Sequence, residues 1–173
     1  MTLEIVEAGK KLKPVVQNLG LYYLYDFTEL LDIRCPDSGL FRTSHWDKYW
    51  AEAGRWAFLV KIDGQPAGFV LVSTEGTQPG TEFSIDDFFI TRKFRRRGFG
   101  QRVAFSILDR FRGRWEIREV VQNGPAIAFW RKVIRRYTDG RYSELPEPVR
   151  HGQWLCLVQT FDNSKAGPKA APP

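Results

Sequence analysis

Phe88-Phe89-Ile90-Thr91-Arg92-Lys93-Phe94-Arg95-Arg96-Arg97-Gly98-Phe99-Gly100-Gln101 runs from an apolar stretch through a cluster of cations into a pair of glycines. The apolar part reads as a strand. Val103, Ala104, Ile107, Leu108 and Phe111, which follow, are spaced like one face of a helix. A strand that turns through glycines into a helix start aims free backbone N–H groups and the positive end of the helix dipole at one spot. Glycine lets a ligand approach the main chain closely, and arginine pairs with phosphate oxygens. The stretch therefore predicts a cradle for a ligand that carries a nucleotide.

Outward from it, the pattern alternates strands and helices. Leu3-Glu4-Ile5-Val6 predicts a short first strand. From Pro14 onward Val16, Leu19, Tyr23, Phe27, Leu30 and Leu31 recur at helical spacing. Residues 35–39 are turn-formers, and residues 46–53 read as a short second helix. Two apolar runs, residues 56–62 and 67–72, flank Asp63-Gly64, which is a strong hairpin signal. Residues 76–80 form a loop before the strand at 82–91, the glycine turn and a helix over 100–111. A strand at 115–121 then leads to Asn123-Gly124-Pro125, a turn whose proline starts a helix with Ala126, Phe129, Trp130 and Val133 on one face. Residues 154–161 read as a late strand with 141–144 as its antiparallel neighbour. The expectation is one mixed α/β (α+β) domain over residues 1–161 and a disordered tail over 162–173.

Composition narrows the function classes. With 43% hydrophobic residues, 13 Phe, 6 Trp and 6 Tyr in 173 residues, the chain can bury a real core. It has no run of eighteen apolar residues and no basic-then-apolar N-terminus, so neither a membrane span nor a secretory signal is expected. The net charge is +6, partly concentrated at Arg92, Lys93, Arg95, Arg96, Arg97 and Arg102. Cys35 and Cys156 are far apart and lack metal spacing, which suits a reduced, cytoplasmic chain. His45 and His151 belong to no metal motif and read as structural or solvent-facing, so no metal is expected.

The paired signatures carry a family resemblance. Arg95-Arg96-Arg97-Gly98-Phe99-Gly100 matches the (Gln/Arg)-x-x-Gly-x-(Gly/Ala) pyrophosphate loop of the GNAT superfamily of acetyl-CoA-dependent N-acetyltransferases. The run from Asn123 to Lys132 resembles that family's second signature, Asn-x-x-Ala-x-x-(apolar)-(aromatic)-x-(Lys/Arg). The resemblance implies a mostly antiparallel mixed sheet whose two central strands splay, with acetyl-CoA as co-substrate. It implies that the pantetheine arm pairs with the main chain of Phe89 and Ile90, and that the pyrophosphate lies on Arg95, Arg97, Gly98, Phe99, Gly100 and Gln101. Asn123 would hold the pantetheine side, and Phe129 and Trp130 would line the channel. Trp130 stands where many members carry a tyrosine, the proposed general acid for the departing thiolate, and an indole cannot supply that proton. Tyr137 and Tyr142 are possible substitutes. A thiol near pKa 8.5 leaves acceptably as thiolate without one.

An acceptor amine must lose a proton before it attacks a thioester, and a carboxylate is a natural base. Asp86-Asp87 resembles the acidic pair of polyamine-type members. Strand alternation puts Asp87 on one face and Glu82, Ser84 and Asp86 on the other, so Asp86, Asp87 and Glu82 are the catalytic candidates. The competing assignment has these acids capping the strand or pairing with arginines. Trp46, Tyr49, Trp50 and Trp56 divide likewise between an acceptor pocket and the core. The expected activity is acetyl transfer to a primary amine of a small molecule or peptide. Its rivals are an acyl-CoA-binding module without turnover and a nucleic-acid patch on the arginine run. A monomer or homodimer, without nucleic-acid or membrane partners, is expected.

Overall fold

The computed structural model describes residues 1–165 and 167. The chain divides into two compact units, one of Met1–Val72 with Asp87–Arg97, the other of Ser73–Asp86 with the chain from Gly98 onward.

In the first unit, β1 (Leu3–Glu7) precedes the helix α1 (Lys13–Phe27) and pairs antiparallel with β2 (Arg55–Ile62), Leu3 opposite Ile62. Asp63 and Gly64 turn the chain into β3 (Gln65–Ser73) with φ of 50° and 74°, the left-handed pair that a two-residue hairpin needs. Helix α1 has Pro14 in its first turn, where no N–H is required. It stops at Phe27, so Leu30 and Leu31 lie past its end rather than on its face. Thr28 donates its hydroxyl to the Tyr25 carbonyl, a local bond that competes with helix continuation. The expected helix over 46–53 is instead a 3₁₀ segment, Ser44–Trp50. Its Trp46 and Tyr49 are buried in a cluster with Val16, Leu19, Leu59, Phe69, Leu71 and Phe89, so both serve the core. Gly20 lets α1 rest on Trp46, since a Cβ there would lie 2.0 Å from the indole.

β4 (Phe83–Ile90) begins in the second unit and ends in the first. The helix α2 (Phe99–Arg110) crosses from it to β5 (Arg114–Val120), which pairs parallel with β4 through Phe83↔Trp115, Ser84↔Glu116 and Ile85↔Ile117. The paired register covers these three positions. The helix α3 (Gly124–Thr138) follows, then β6 (Ser143–Glu144), β7 (Val149–His151) and β8 (Trp154–Asp162). β8 pairs antiparallel with β5 from Arg114↔Asp162 to Val120↔Cys156, and β6 and β7 pair antiparallel with β8. The strand order is β1-β2-β3-β4-β5-β8-β6, with β7 on β8. β7 has no apolar alternation to announce it and is held by its hairpin partner. The fold is thus mixed α/β with a mostly antiparallel sheet.

Of the expected tail, Asp162 closes β8 and Asn163 is buried. The Asn163 amide donates to the carbonyls of Leu108 and Phe111, and its oxygen accepts from the Gly113 N–H. Residues 166 and 168–173 lie outside those described. No described helix is long and apolar enough to cross a membrane.

Candidate active site

The glycine loop has the backbone its sequence calls for. Arg96 and Gly98 have φ of 60° and 80°, and Gly98 is the N-cap of α2. The first helical bond runs from the Arg102 N–H to the Gly98 carbonyl, at 3.2 Å. The N–H groups of Gly100 and Gln101 precede it, which leaves them for an external acceptor. Arg96 and Arg97 are exposed beside the turn. Arg92 and Arg95 are committed elsewhere. Both bond the Asp26 carboxylate at the end of α1, and Arg95 also donates Nε to the Ile90 carbonyl at 2.7 Å and lies over the Phe89 ring. Although partial burial works against it, the bonds from Arg95 and Arg92 hold the Asp26 carboxyl below its ordinary range. Arg95 thus braces the exit of β4.

The end of β4 is shaped by a residue that the sequence patterns did not single out. A Cβ on Gly68 would lie 2.1 Å from the Phe89 carbonyl oxygen, so only glycine permits this approach of β3 to β4. The Phe89 ring is 4% exposed and packs against Tyr23 and Phe69. Of the two residues expected to pair with pantetheine, Phe89 presents its carbonyl to Gly68, and Ile90 presents its own to Arg95.

Asn123 caps α3, its Oδ1 accepting the Ala126 N–H at 3.1 Å, which leaves the amide NH₂ to donate. Trp130 is buried, edge-on to Phe129. Tyr137 is no substitute acid. It is buried, donates to Asp109 at 2.8 Å and accepts from Asn163, and burial first of all pushes its phenol up to about 12. On the exposed face of α3, Arg131, Lys132, Arg135 and Arg136 line an open groove of about 560 Å³. Arg136 reaches the Gln101 side-chain oxygen at 3.5 Å, which places this basic face beside the first turn of α2.

The candidate carboxylates separate by partner. Glu82 accepts the Arg114 N–H at 2.8 Å and so caps the start of β5. Asp86 accepts from the Ser84 hydroxyl and from Arg118, each at 2.8 Å, on the face that alternation predicted. Asp87 lies on the opposite face and is partly buried. The charge-pair assignment therefore describes Asp86, and the strand-cap assignment describes Glu82. Sequence reasoning missed Glu116 and Arg118. Glu116 is fully buried and accepts from the Thr77 and Gln78 N–H groups, the Thr77 and Thr81 hydroxyls, and Arg118 at 2.6 Å. It ties the loop before β4 to β5. Only the three-residue parallel register that brings Ser84 level with Glu116 reveals this cluster. Among the described residues no group of three His, Cys, Asp or Glu side chains is placed to hold a metal.

Residues 24–134 match the model of the acetyltransferase (GNAT) family, a span that includes the glycine loop, β5 and the start of α3. The chain belongs to that family. No curated protein gives a significant sequence match. The GNAT fold recurs in an acetyltransferase from Thermus thermophilus, at 16% identity and TM-score 0.67, covering 94% of this chain and 97% of that one. The spermidine N-acetyltransferase of Vibrio cholerae in complex with CoA and spermine is 12% identical, with TM-score 0.61 and coverage of 94% and 96%. The ribosomal-protein-S18-alanine N-acetyltransferase of Escherichia coli is also 12% identical, with TM-score 0.57 and coverage of 96% and 97%.

This GNAT domain holds one acid in a further environment. Glu119 on β5 is 4% exposed, and neither carboxylate oxygen has a hydrogen-bond partner in any other described residue. Burial, and then the charge of Glu144, push its carboxyl up to about 8 from 4.5, with Arg131 and the residue's own main-chain N–H opposing. Between those values the folded chain keeps a proton that the unfolded chain releases, so stability is highest below 4.5 and falls as pH rises toward 8. Glu119→Gln removes that penalty. Its Tm should exceed that of the parent by roughly 8–18 °C at pH 8 and by only about 2–3 °C at pH 5, since the shift is worth roughly 4 kcal/mol at the higher pH and 1 kcal/mol is worth about 2–4 °C in a chain of this size. Thermal denaturation at both pH values checks this, and an equal shift at both would refute it.

Proposed function

We propose that the protein transfers an acetyl group from acetyl-CoA to a primary amine of a small molecule or peptide, directly within a ternary complex. The observation that carries this reading is the left-handed turn at Gly98 feeding α2. N–H donors, helix dipole and the exposed Arg96 and Arg97 converge there in a chain of the acetyltransferase family. The loop main chain from Arg97 to Gln101 accepts the pyrophosphate. The Asn123 amide, the main chain at Phe89–Ile90, and the rings of Phe129 and Trp130 serve the pantetheine side. Lys132, Arg135 and Arg136 supply further positive charge for a ligand with three phosphate groups.

The amine nucleophile attacks the thioester carbonyl carbon, the C–S bond breaks, and CoA leaves as thiolate. No covalent enzyme intermediate is needed. With Tyr137 locked and Trp130 in the tyrosine position, thiolate departure relies on the thiol's own acidity. Asp86 and Asp87 attract a protonated acceptor, and the main-chain N–H groups near Phe89 and Ile90 are the natural donors to the oxyanion.

A CoA-binding module without turnover is the second reading, and the buried indole of Trp130 favours it. The test is release of CoA thiol from acetyl-CoA across alkyl amines, polyamines, amino acids, aminoglycosides and peptides. Turnover with any amine establishes transfer. Tight acetyl-CoA binding with no thiol release across the panel establishes the module.

A further inference from the structure

His151, which the sequence marks only as a histidine outside any motif, shares a sheet face with the Asp86–Arg118 pair. The register fixes this. In β5, Glu116, Arg118 and Val120 project to one side, and the β8 partners of Arg118 and Val120 are Val158 and Cys156. Directly opposed residues of an antiparallel pair share a face, and alternate residues of a strand share it too. Trp154 is thus on that side, and its β7 partner His151 with it. Ser84, level with Glu116 in the parallel pair, brings Asp86 to the same face. His151 stands at the tip of the β7–β8 hairpin, before Gly152 with its φ of 59°, and is exposed to solvent.

The charges around it agree with that placement. Asp86 on β4, Glu116 and Arg118 on β5, and Glu75 in the loop after β3 all act on the His151 ring. Partial desolvation and then Arg118 hold the imidazole below its ordinary 6.5, against the pull of Asp86, Glu116 and Glu75. The ring thus shares its sheet face with Asp86, Glu116 and Arg118, and its surroundings favour the unprotonated imidazole. The acids themselves are poorly suited to take a proton. Asp86 is engaged by Ser84 and Arg118, and Glu116 accepts five donors at its two oxygens.

We infer that His151 is the general base for the acceptor amine, with Asp86 and Glu75 drawing the ammonium toward it. This rests on the acetyltransferase reading above. The imidazole accepts one proton from the acceptor's ammonium group. The freed lone pair forms the C–N bond as the C–S bond breaks, and the thiolate takes the remaining amine proton. His151 returns its proton to solvent, which its exposure allows. The net products are the amide, CoA thiol and one proton.

The experiment measures kcat/KM between pH 5 and 9.5 for the parent and His151→Gln, with whichever panel amine gives the fastest thiol release. The parent should show a limb rising through the imidazole's titration and a plateau by pH 7. His151→Gln should fall about a hundredfold at pH 7, lose that limb and keep climbing to high pH, where free amine is abundant. Its acetyl-CoA affinity by calorimetry should stay within about twofold. An unchanged rate, or a uniform fall that keeps the limb, overturns the assignment while leaving acetyl transfer standing. A parent chain that turns over no amine removes the acetyltransferase reading and the base together.

Discussion

Gly98→Glu should weaken acetyl-CoA binding by at least about a hundredfold, beyond the reach of ordinary calorimetry. Two effects combine. Gly98 holds φ of 80°, and any side chain there costs about 1–2 kcal/mol of backbone strain. The new carboxylate would also sit at the N-terminus of α2, where it satisfies the helix dipole and competes with a phosphate for the same donors. A Cβ at this position meets nothing within 4 Å, so the loss would not come from a steric clash. Gly98→Ala separates the effects. It carries the strain without the charge and should lose about tenfold, the equivalent of 1.4 kcal/mol. Glutamate binding as well as alanine would show that the turn does not hold the phosphates.

Arg118→Met should lower unfolding free energy by about 3–5 kcal/mol at pH 7, a large share of what a single domain has. The Arg118 side chain is 6% exposed and bonds Glu116, Asp86, the Ser84 hydroxyl and the Glu75 carbonyl. Its removal leaves the Glu116 carboxylate buried without its cation. Burial alone would raise that carboxyl, yet Arg118 and the N–H groups of Thr77 and Gln78 hold it below 4.5. Its contribution is therefore present above 4.5 and is lost as acid titrates the folded chain. Urea denaturation should show the parent and variant converging at low pH. Arg118→Met combined with Glu116→Gln should recover part of the loss, because the uncompensated charge is gone. A loss below about 1 kcal/mol for the single variant would mean that the cluster contributes little.

Hairpin, glycine turn and both signature helices are legible because each is set by neighbours along the chain. Asp63-Gly64 demands two left-handed residues, and Gly98 demands one. Errors occur where a contact distant in sequence decides. The aromatics of 46–50 suit a pocket as well as a core until Gly20 receives the Trp46 ring. Arg95 reads as a phosphate ligand, and Asp26, sixty-nine residues away, claims it.

By itself the sequence determined the family, the alternation of strands and helices, and the place of the phosphate turn. Those follow from backbone geometry, which short-range residue choice controls. Which charged groups are free to act was decided only by the tertiary structure. Pairing depends on sheet register, and a side chain's proton affinity depends on what surrounds it. Register and burial made Asp86 and Glu82 partners of Arg118 and Arg114. They left the Glu119 carboxylate buried without a hydrogen bond from any other described residue, and they put His151 on the sheet face of the Asp86–Arg118 pair.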